Sequence, residues 1–179
     1  MLEKIRSILV GLSLIVIAGL LGLYMYVQMG KGSDIFGSQA GALPATNFDT
    51  LAHPSSDTGF LLCPDDLCVA AETDGPAATF NVNATALRQA LFDFRDSLPT
   101  VRNHHVNIRL NQFGFLERLP GEHLPALVSI RILPDTNYTS KIAIYSIMPL
   151  GDAGRETDQE RVERWVRQIT AQVSANALK

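Results

Sequence analysis

The sequence lacks the short motifs by which common enzyme classes are recognised. Its 179 residues contain no GxSxG nucleophile elbow, no HExxH zinc motif, no phosphate-binding P-loop and no dinucleotide-binding glycine fingerprint. The sequence therefore contains none of these catalytic motifs that would indicate a particular reaction. We expect a non-catalytic protein with no cofactor.

Basic residues are also scarce. Fifteen Lys and Arg residues are outnumbered by eighteen Asp and Glu residues, which gives a formal net charge of −3. Nucleic-acid binding requires clustered positive charge, and none is visible along the chain. Internal repeats and low-complexity tracts are absent as well, so the composition predicts one ordinary folded domain and no nucleic-acid partner.

Charge is absent altogether from Ile8 to Val27, a run of 20 residues. An α-helix needs about 20 apolar residues to cross a bilayer, so this run predicts a transmembrane helix. A cleaved signal peptide is the alternative, with Lys4 and Arg6 as its positive region. The run is longer than the usual signal core of about 7 to 15 residues and no small-x-small cleavage site follows it. We therefore expect an uncleaved anchor.

The charges that flank this run set the predicted orientation. Lys4 and Arg6 give the N-terminal side a local positive excess, which places that side in the cytoplasm. The predicted organisation is a cytoplasmic segment over 1–7, the transmembrane helix over 8–27, a stalk over 28–59 and an extracytoplasmic domain over 60–179. In the stalk, Phe36, Phe48 and Leu51 either dock onto the domain or belong to a flexible spacer, and the second interpretation is favoured.

Cysteine occurs only twice, as Cys63 and Cys68. The four residues between them include Pro64 and form a loop that a disulfide closes if the two side chains converge. Free thiols and metal or redox chemistry are the alternatives. A structural disulfide is favoured for an extracytoplasmic domain, because the spacing is not CxxC and the four histidines do not complete a zinc pattern.

The periodicity of the remaining chain predicts two helices and several strands. Residues 78–83 alternate as a strand, and a helix follows that Asn83 or Thr85 caps and Pro99 ends. Its apolar positions recur at steps of three and four residues: Leu87, Ala90, Leu91, Phe94 and Leu98. Strands are then predicted around Val106 to Leu110, with a break at 112–114, and over 115–119, 127–133 and 138–147.

A last helix is predicted with Thr157 or Asp158 as its cap. Val162, Trp165, Val166, Ile169 and Val173 form its apolar face, and its charged residues, including Arg161 and Arg164, are assigned to the opposite, solvated face. Trp165 is the natural core anchor. The element order is β-α-β-β-β-β-α, so the predicted fold class is α+β, with two helices packed on an antiparallel β-meander.

Several short motifs together resemble the DUF1499 family of uncharacterised bacterial envelope proteins. The matching residues are Cys63, Pro64, Cys68 and Val69, then Gly151, Asp152 and Gly154, then Arg161, Val162, Glu163 and Trp165. The chain departs from the family in having four residues rather than five between its cysteines, and Met148 and Pro149 where the family has a serine-arginine pair. The resemblance implies a location and a fold: the bacterial inner membrane, with the folded domain in the periplasm.

Few residues are candidates for chemistry. His104 and His105 are adjacent, so in a regular strand they point to opposite faces and form no joint site. Asp152, Gly154 and Arg155 precede the last helix, where a helix N-terminus receives an anion; a plain connecting loop is the favoured alternative. Arg109, Arg131 and Lys141 are assigned to an open sheet face, as an anion-binding patch or, preferably, as ordinary polar surface.

The sequence therefore predicts a membrane-anchored accessory or assembly subunit of a membrane protein complex. The alternative is a lipid or small hydrophobic ligand binding protein, with its cavity between the meander and the last helix. A third hypothesis is a hydrolase that uses His104 or His105 with Asp152.

Overall fold

The computed structural model describes residues 43–52, 58–122, 124–149 and 155–178, together with Ser13, Ile17, Gly19 and Leu21. The chain divides into two compact units, Met1–Pro44 and Ala45–Lys179. In the first unit, the four isolated residues are helical, and the rest of the predicted transmembrane helix Ile8–Val27 lies outside the described residues. Within the described part of the chain, no helix combines the length and the apolar character needed to cross a membrane.

The second unit is an α+β domain, as predicted. Its elements in chain order are β1 (Phe60–Leu62), β2 (Ala78–Phe80), α1 (Ala84–Asp96), β3 (Val101–Asn107), β4 (Gln112–Glu117), β5 (Ala126–Pro134), β6 (Ser140–Ile147) and α2 (Arg155–Asn176). Strands β3 to β6 form the predicted antiparallel meander. The short strands β1 and β2 both pair with the outer edge of β6, at Ile144–Ser146 and Ser140–Ile142.

Helix α1 follows the predicted pattern closely. The Asn83 side chain caps it, with Oδ1 accepting from the backbone N–H of Ala86 at 2.9 Å. The predicted apolar positions Leu87, Leu91 and Phe94 are buried. The spacing of the apolar residues was sufficient to predict α1, because one face of this helix packs on the core.

Both helices cover the same face of the sheet, which we call the helix face. Its core brings together aliphatic and aromatic residues of all the strands and both helices, including Phe80, Leu91, Val101, Phe113, Phe115, Val128, Ile130, Ile132, Ile142, Ile144, Val162 and Ile169. Trp165 is fully buried there, as predicted, and its ring lies 5.2 Å from that of Phe94 and 5.3 Å from that of Phe115. Side chains thus fill this part of the space between the meander and α2, where the lipid-binding hypothesis places a cavity.

A second, smaller core lies on the opposite face of the sheet, which we call the outer face. It contains Leu61, Ala143, Tyr145 and the two cysteines from the sheet side, and Phe48 from the preceding segment. Phe48 is fully buried. Residues 45–52 are therefore part of the domain, and the predicted stalk over 28–59 extends too far toward the C-terminus.

Polar contacts fasten this segment to the outer face. The hydroxyl groups of Thr46 and Ser129 are hydrogen-bonded at 2.7 Å, and the Gln112 amide donates to the Thr46 carbonyl. Asp49 forms an ion pair with Arg131 at 2.7 Å. Phe36, the other aromatic residue named in the less favoured docking interpretation, lies outside the described residues.

The hairpin between β3 and β4 turns at residues 108–111 rather than at the predicted 112–114. Asn107 Oδ1 accepts from the backbone N–H of Leu110 at 3.2 Å, and Asn111 adopts a positive φ of 47°. Asparagine tolerates this left-handed conformation and replaces backbone hydrogen bonds in turns. The apolar alternation from Val106 to Leu110 resembles a strand, but the two asparagines that flank the turn determine the outcome.

Candidate functional site

Helix α2 is attached to the sheet through a buried charged cluster, which consists of Glu117, Glu122, Asp158, Arg161 and Arg164. The side chain of Arg161 is fully buried at its centre. Its Nη1 contacts Asp158 Oδ1 at 2.9 Å, its Nε lies 3.3 Å from Glu117 Oε2, and its Nη2 donates to Glu122 Oε1. One guanidinium thus joins the end of β4, the following loop and α2.

Glu117 is the acceptor that receives the most contacts in this cluster. Both of its oxygens accept from Arg164, at 2.9 and 2.8 Å, and Oε2 also accepts from the Trp165 indole at 3.1 Å. Residues at positions i, i+3 and i+4 of a helix lie on the same side, so α2 presents Arg161, Arg164 and Trp165 together to β4. Paired guanidinium–carboxylate bonds fix orientation as well as distance, because both planes must align.

Asp158 connects the cluster to β6. Its Oδ1 accepts from the Ser146 hydroxyl at 2.7 Å and from Arg161. Among the described residues, its Oδ2 has no hydrogen-bond partner. Asp158 was predicted as the cap of the last helix; instead α2 begins at Arg155, and Asp158 lies buried within it. The prediction was wrong because a capping residue and a buried helical acid have the same signature in sequence.

The cluster also affects a neighbouring phenol. Burial is the largest cause and, together with the negative charges of Asp158 and Asp74, it raises the pKa of Tyr145 to about 12. Burial disfavours the phenolate because it removes the charge from water, and the two carboxylates repel it, so both effects favour the neutral phenol. Tyr145 therefore stays protonated at every physiological pH.

The sequence indicated this cluster only in part. Arg161 and Arg164 were assigned to the solvated face of α2, whereas Arg161 is fully buried and Arg164 is mostly buried. Glu117 follows Phe113 and Phe115 at every second position of β4, so its place on the helix face was readable from the strand period. A charged residue at a core position of a strand implies a buried partner of opposite charge, and this signal was missed.

The predicted anion loop cannot be placed beside this cluster. Asp152 and Gly154 lie outside the described residues, and Arg155 is described only as the first residue of α2. Asp152, the proposed hydrolase partner of the histidines, is thus outside the described region too.

The side chains of the adjacent residues His104 and His105 are not arranged as predicted. The register of β3 against β4 shifts between Asn103 and His105, which is a β-bulge. A Cβ atom built at Gly114 would lie 3.4 Å from His105 Cβ and 3.6 Å from His104 Cδ2. Both side chains therefore approach Gly114, because a bulge places two residues opposite one. The prediction that they point to opposite faces was wrong for this reason.

Within the described ranges, no group of three or more acidic, histidine or cysteine side chains is arranged to hold a metal ion.

Cys63 and Cys68 form the favoured disulfide, with their Cα atoms 6.1 Å apart. Both residues are buried in the core of the outer face. The loop is fixed at its base, where the Cys63 N–H donates to the Gly75 carbonyl at 3.2 Å and the Leu61 N–H donates to Asp74 at 2.7 Å. Since both sulfurs are bonded, the free-thiol interpretation is wrong and the pair is not available as metal ligands.

A cavity of about 430 Å³ lies beside this loop, lined by Asp65, Asp66, Thr79 and Lys141 among others. Lys141 Nζ is held by Asp135 at 2.7 Å. This ion pair lowers the pKa of Asp135 and raises that of Lys141. Lys141 and Arg131 therefore lie on the outer face as predicted, each already paired with a carboxylate, whereas Arg109 lies in the β3–β4 turn.

A second cavity, of about 390 Å³, lies where β3 begins and β4 ends. Its lining consists of Pro99, Thr100, Arg102, Leu116, Arg118 and Pro125. Its two charged lining residues are both arginines. The sequence did not indicate this site, because Arg102 and Arg118 are far apart in the chain and only the register of β3 against β4 brings them together.

Three apolar residues in and beside the β3–β4 turn are exposed. Val106, Ile108 and Leu110 expose 44%, 59% and 41% of their surfaces, and β3 is an edge strand of the sheet. Three large apolar side chains exposed within one hairpin are more typical of a contact surface than of ordinary solvated surface. We call these three residues the apolar tip.

Comparison with known proteins adds no family. Neither a scan against protein-family models nor a search of curated proteins found a match to the chain. The resemblance to DUF1499 therefore stays a prediction, because fold or family alone does not establish a function.

Proposed function

We propose that this chain is a single-pass protein of the bacterial inner membrane, with a periplasmic domain that serves as a non-catalytic accessory or assembly subunit of a membrane protein complex. The charge-free run Ile8–Val27 supplies the anchor and the residues before it set the orientation. The DUF1499 resemblance agrees with an envelope location. The Cys63–Cys68 disulfide supports the same compartment, because structural disulfides persist in oxidising environments.

The apolar tip carries the proposed role. Three large aliphatic side chains are held out by a turn that the Asn107 side chain and the positive φ of Asn111 define, so their exposure is a built feature of the hairpin. The bulge at Asn103–His105 interrupts the free edge of β3, and bulges of this kind discourage pairing with a further strand. The partner is therefore engaged by the side chains of the tip, as in interfaces that bury a small apolar centre.

Orientation is tested with a reporter fused after Lys179. The proposal expects reporter activity only in the periplasm. Activity in the cytoplasm would overturn the predicted topology and, with it, the assignment to a periplasmic complex.

The role is tested by native purification of the full chain from mild detergent through a C-terminal tag. Wild-type protein is expected to bring down one membrane complex in fixed stoichiometry, and Ile108→Asp is expected to lose it, because a charge in the apolar centre of an interface is costly. Val69→Asp is the matched control, since Val69 directly follows Cys68 and is 80% exposed outside the hairpin. Equal recovery with both variants would contradict the role of the tip, and co-extracted lipid without protein would favour the lipid-binding alternative.

A further inference from the structure

We propose that the cavity between Arg102 and Arg118 is a binding site for a small amphiphile with a phosphate or carboxylate head. This site lies on the outer face, at the end of β4 opposite the hairpin, and is independent of the apolar tip. Its proposed ligand places the anionic head between the two guanidinium groups and its apolar part against Leu116 and the two prolines.

The strand register puts the two arginines on one surface. Arg102 lies directly opposite Leu116 in the β3–β4 ladder, and the Arg118 N–H extends that ladder to the Thr100 carbonyl at 3.1 Å. Successive side chains of a strand alternate between faces, so Leu116 and Arg118 share a face and Arg102 lies beside them. The cavity is therefore framed by cations with an aliphatic floor between them.

The carboxylates that would otherwise neutralise these arginines are already engaged. Glu117 is turned into the helix face, where it pairs with Arg161 and Arg164. Glu122 uses one oxygen for Arg161 and the other for the Leu119 N–H at 2.8 Å. Within the described ranges, neither Arg102 nor Arg118 forms an ion pair with a carboxylate, so both positive charges are available to a ligand.

Arg118 is also held in place. Its Nε donates to the Glu122 carbonyl at 3.0 Å, which leaves its two terminal nitrogens for a ligand. Guanidinium groups match phosphate and carboxylate oxygens in pairs, and a partly fixed side chain loses less freedom when it binds. A head group that meets two such donors is bound more tightly than one that meets a single mobile lysine.

The rest of the lining selects against a bare anion. Pro99, Leu116 and Pro125 contribute carbon surface, and the volume of about 390 Å³ falls within the ordinary range of small-molecule sites. A ligand that fills this space carries a short apolar chain as well as a charge. Both a membrane phospholipid head and a free alkyl phosphate have this chemistry.

The test is calorimetric titration of the full chain in phosphatidylcholine nanodiscs with butyl phosphate. Saturable binding is expected. Arg102→Gln and Arg118→Gln are each expected to weaken it about tenfold, as for loss of a charge-assisted contact. Arg167→Gln is the matched control. Arg167 is exposed on α2, so this substitution removes the same charge at a position outside the cavity. Absence of saturable binding, or equal affinity for the control and both cavity variants, would overturn the proposal.

Inorganic phosphate tests the apolar part of the site. It is expected to bind at least about tenfold more weakly than butyl phosphate, because it leaves Leu116 and the prolines uncovered. Equal affinities would overturn the assignment of an amphiphile. Titration in nanodiscs that also contain phosphatidic acid then separates the sources: weaker apparent binding of butyl phosphate supports a lipid head, and unchanged binding supports a free anion.

Discussion

The two faces of the β-sheet are closed in different ways. The helix face is covered by two amphipathic helices, and its core extends over every strand and both helices. The outer face is covered only in part, by residues 45–52 and the disulfide loop, and its smaller core depends on Phe48 and the two cysteines. The helix face is covered by regular secondary structure that makes many overlapping contacts. The outer face is covered by segments without regular secondary structure, which a few specific contacts hold in place.

This difference assigns different tasks to the two faces. Redundant packing and the buried charged cluster make the helix face the stable platform of the domain. The outer face keeps polar and partly exposed positions, among them the cavity of Arg102 and Arg118, and so has room for a ligand. Binding residues are commonly placed on less regular parts of a fold that a rigid framework positions. The following predictions test this division, beginning with the largest effect.

Removing the charge of Glu117 should cause the largest loss of stability. In Glu117→Gln, Arg161 and Arg164 lose a buried counter-charge, and breaking such a pair typically costs about 3–5 kcal/mol. The free energy of unfolding in urea measures it. Glu163→Gln is the matched control, because that carboxylate is half exposed and pairs with exposed Arg167, and its loss should cost about 0.5 kcal/mol or less. Similar losses of stability in both variants would contradict a stabilising role of the buried charged cluster.

Truncating Phe48 should cost somewhat less and act mainly on one face. Phe48→Ala removes a fully buried ring, for which about 3 kcal/mol is expected. Local opening should then expose residues 45–52, so the Thr50 amide, bonded to the Asn47 carbonyl at 3.2 Å, should exchange faster while amides of α1 stay protected. Phe115→Ala, on the helix face, should instead accelerate exchange throughout the domain. Identical exchange patterns in the two variants would contradict the separation of the faces.

Reducing the disulfide should have a smaller effect. The loop it closes is short, with a sequence separation of 5 between the cysteines, and the chain-entropy relation gives a loss of about 2 kcal/mol. The urea midpoint of the wild-type domain should therefore fall on addition of a reductant. The Cys63→Ala/Cys68→Ala variant is the control, and its midpoint should not respond to the reductant. An unchanged wild-type midpoint would show that the bridge does not stabilise the outer face.

Alkaline pH should give the smallest of these effects. Burial, with the charges of Asp158 and Asp74, raises the pKa of Tyr145 to about 12, above the ordinary value of 10.0. The neutral phenol therefore contributes stability that is fully present below pH 10 and is lost between about pH 10 and 12. Unfolding measured across this range should fall more steeply for wild type than for Tyr145→Phe. Tyr138→Phe, which alters an 81% exposed ring, should match the wild type; a match by Tyr145→Phe instead would refute the shift.

The helix face was largely predictable from the sequence, because the periodic spacing of apolar residues shows which side of each helix and strand packs on the core. The apolar steps of α1, its Asn83 cap and the burial of Trp165 all follow from a helix with one face on a core. The β-meander was predicted for the same reason. Strand β1 was missed, since three residues that end at a cysteine loop are too few to show alternation.

The outer face and the cavity were not predictable in the same way. Phe48 docks through contacts distant in sequence, within a segment of turn-forming composition that favours a spacer. The β-bulge that brings His104 and His105 to one side leaves no mark in composition or periodicity. Arg102 and Arg118 become neighbours only through the register of β3 on β4, and register depends on where the hairpin turns.

The most direct test of the proposed function is site-specific photo-crosslinking in native membranes. A photoreactive residue is placed at position 108, in the apolar tip, or at position 69, directly after Cys68, and the full chain is recovered after irradiation. One discrete crosslinked membrane protein is expected from position 108 and none from position 69. No crosslink from position 108, or the same product from both positions, would contradict an accessory subunit that binds its complex through the apolar tip.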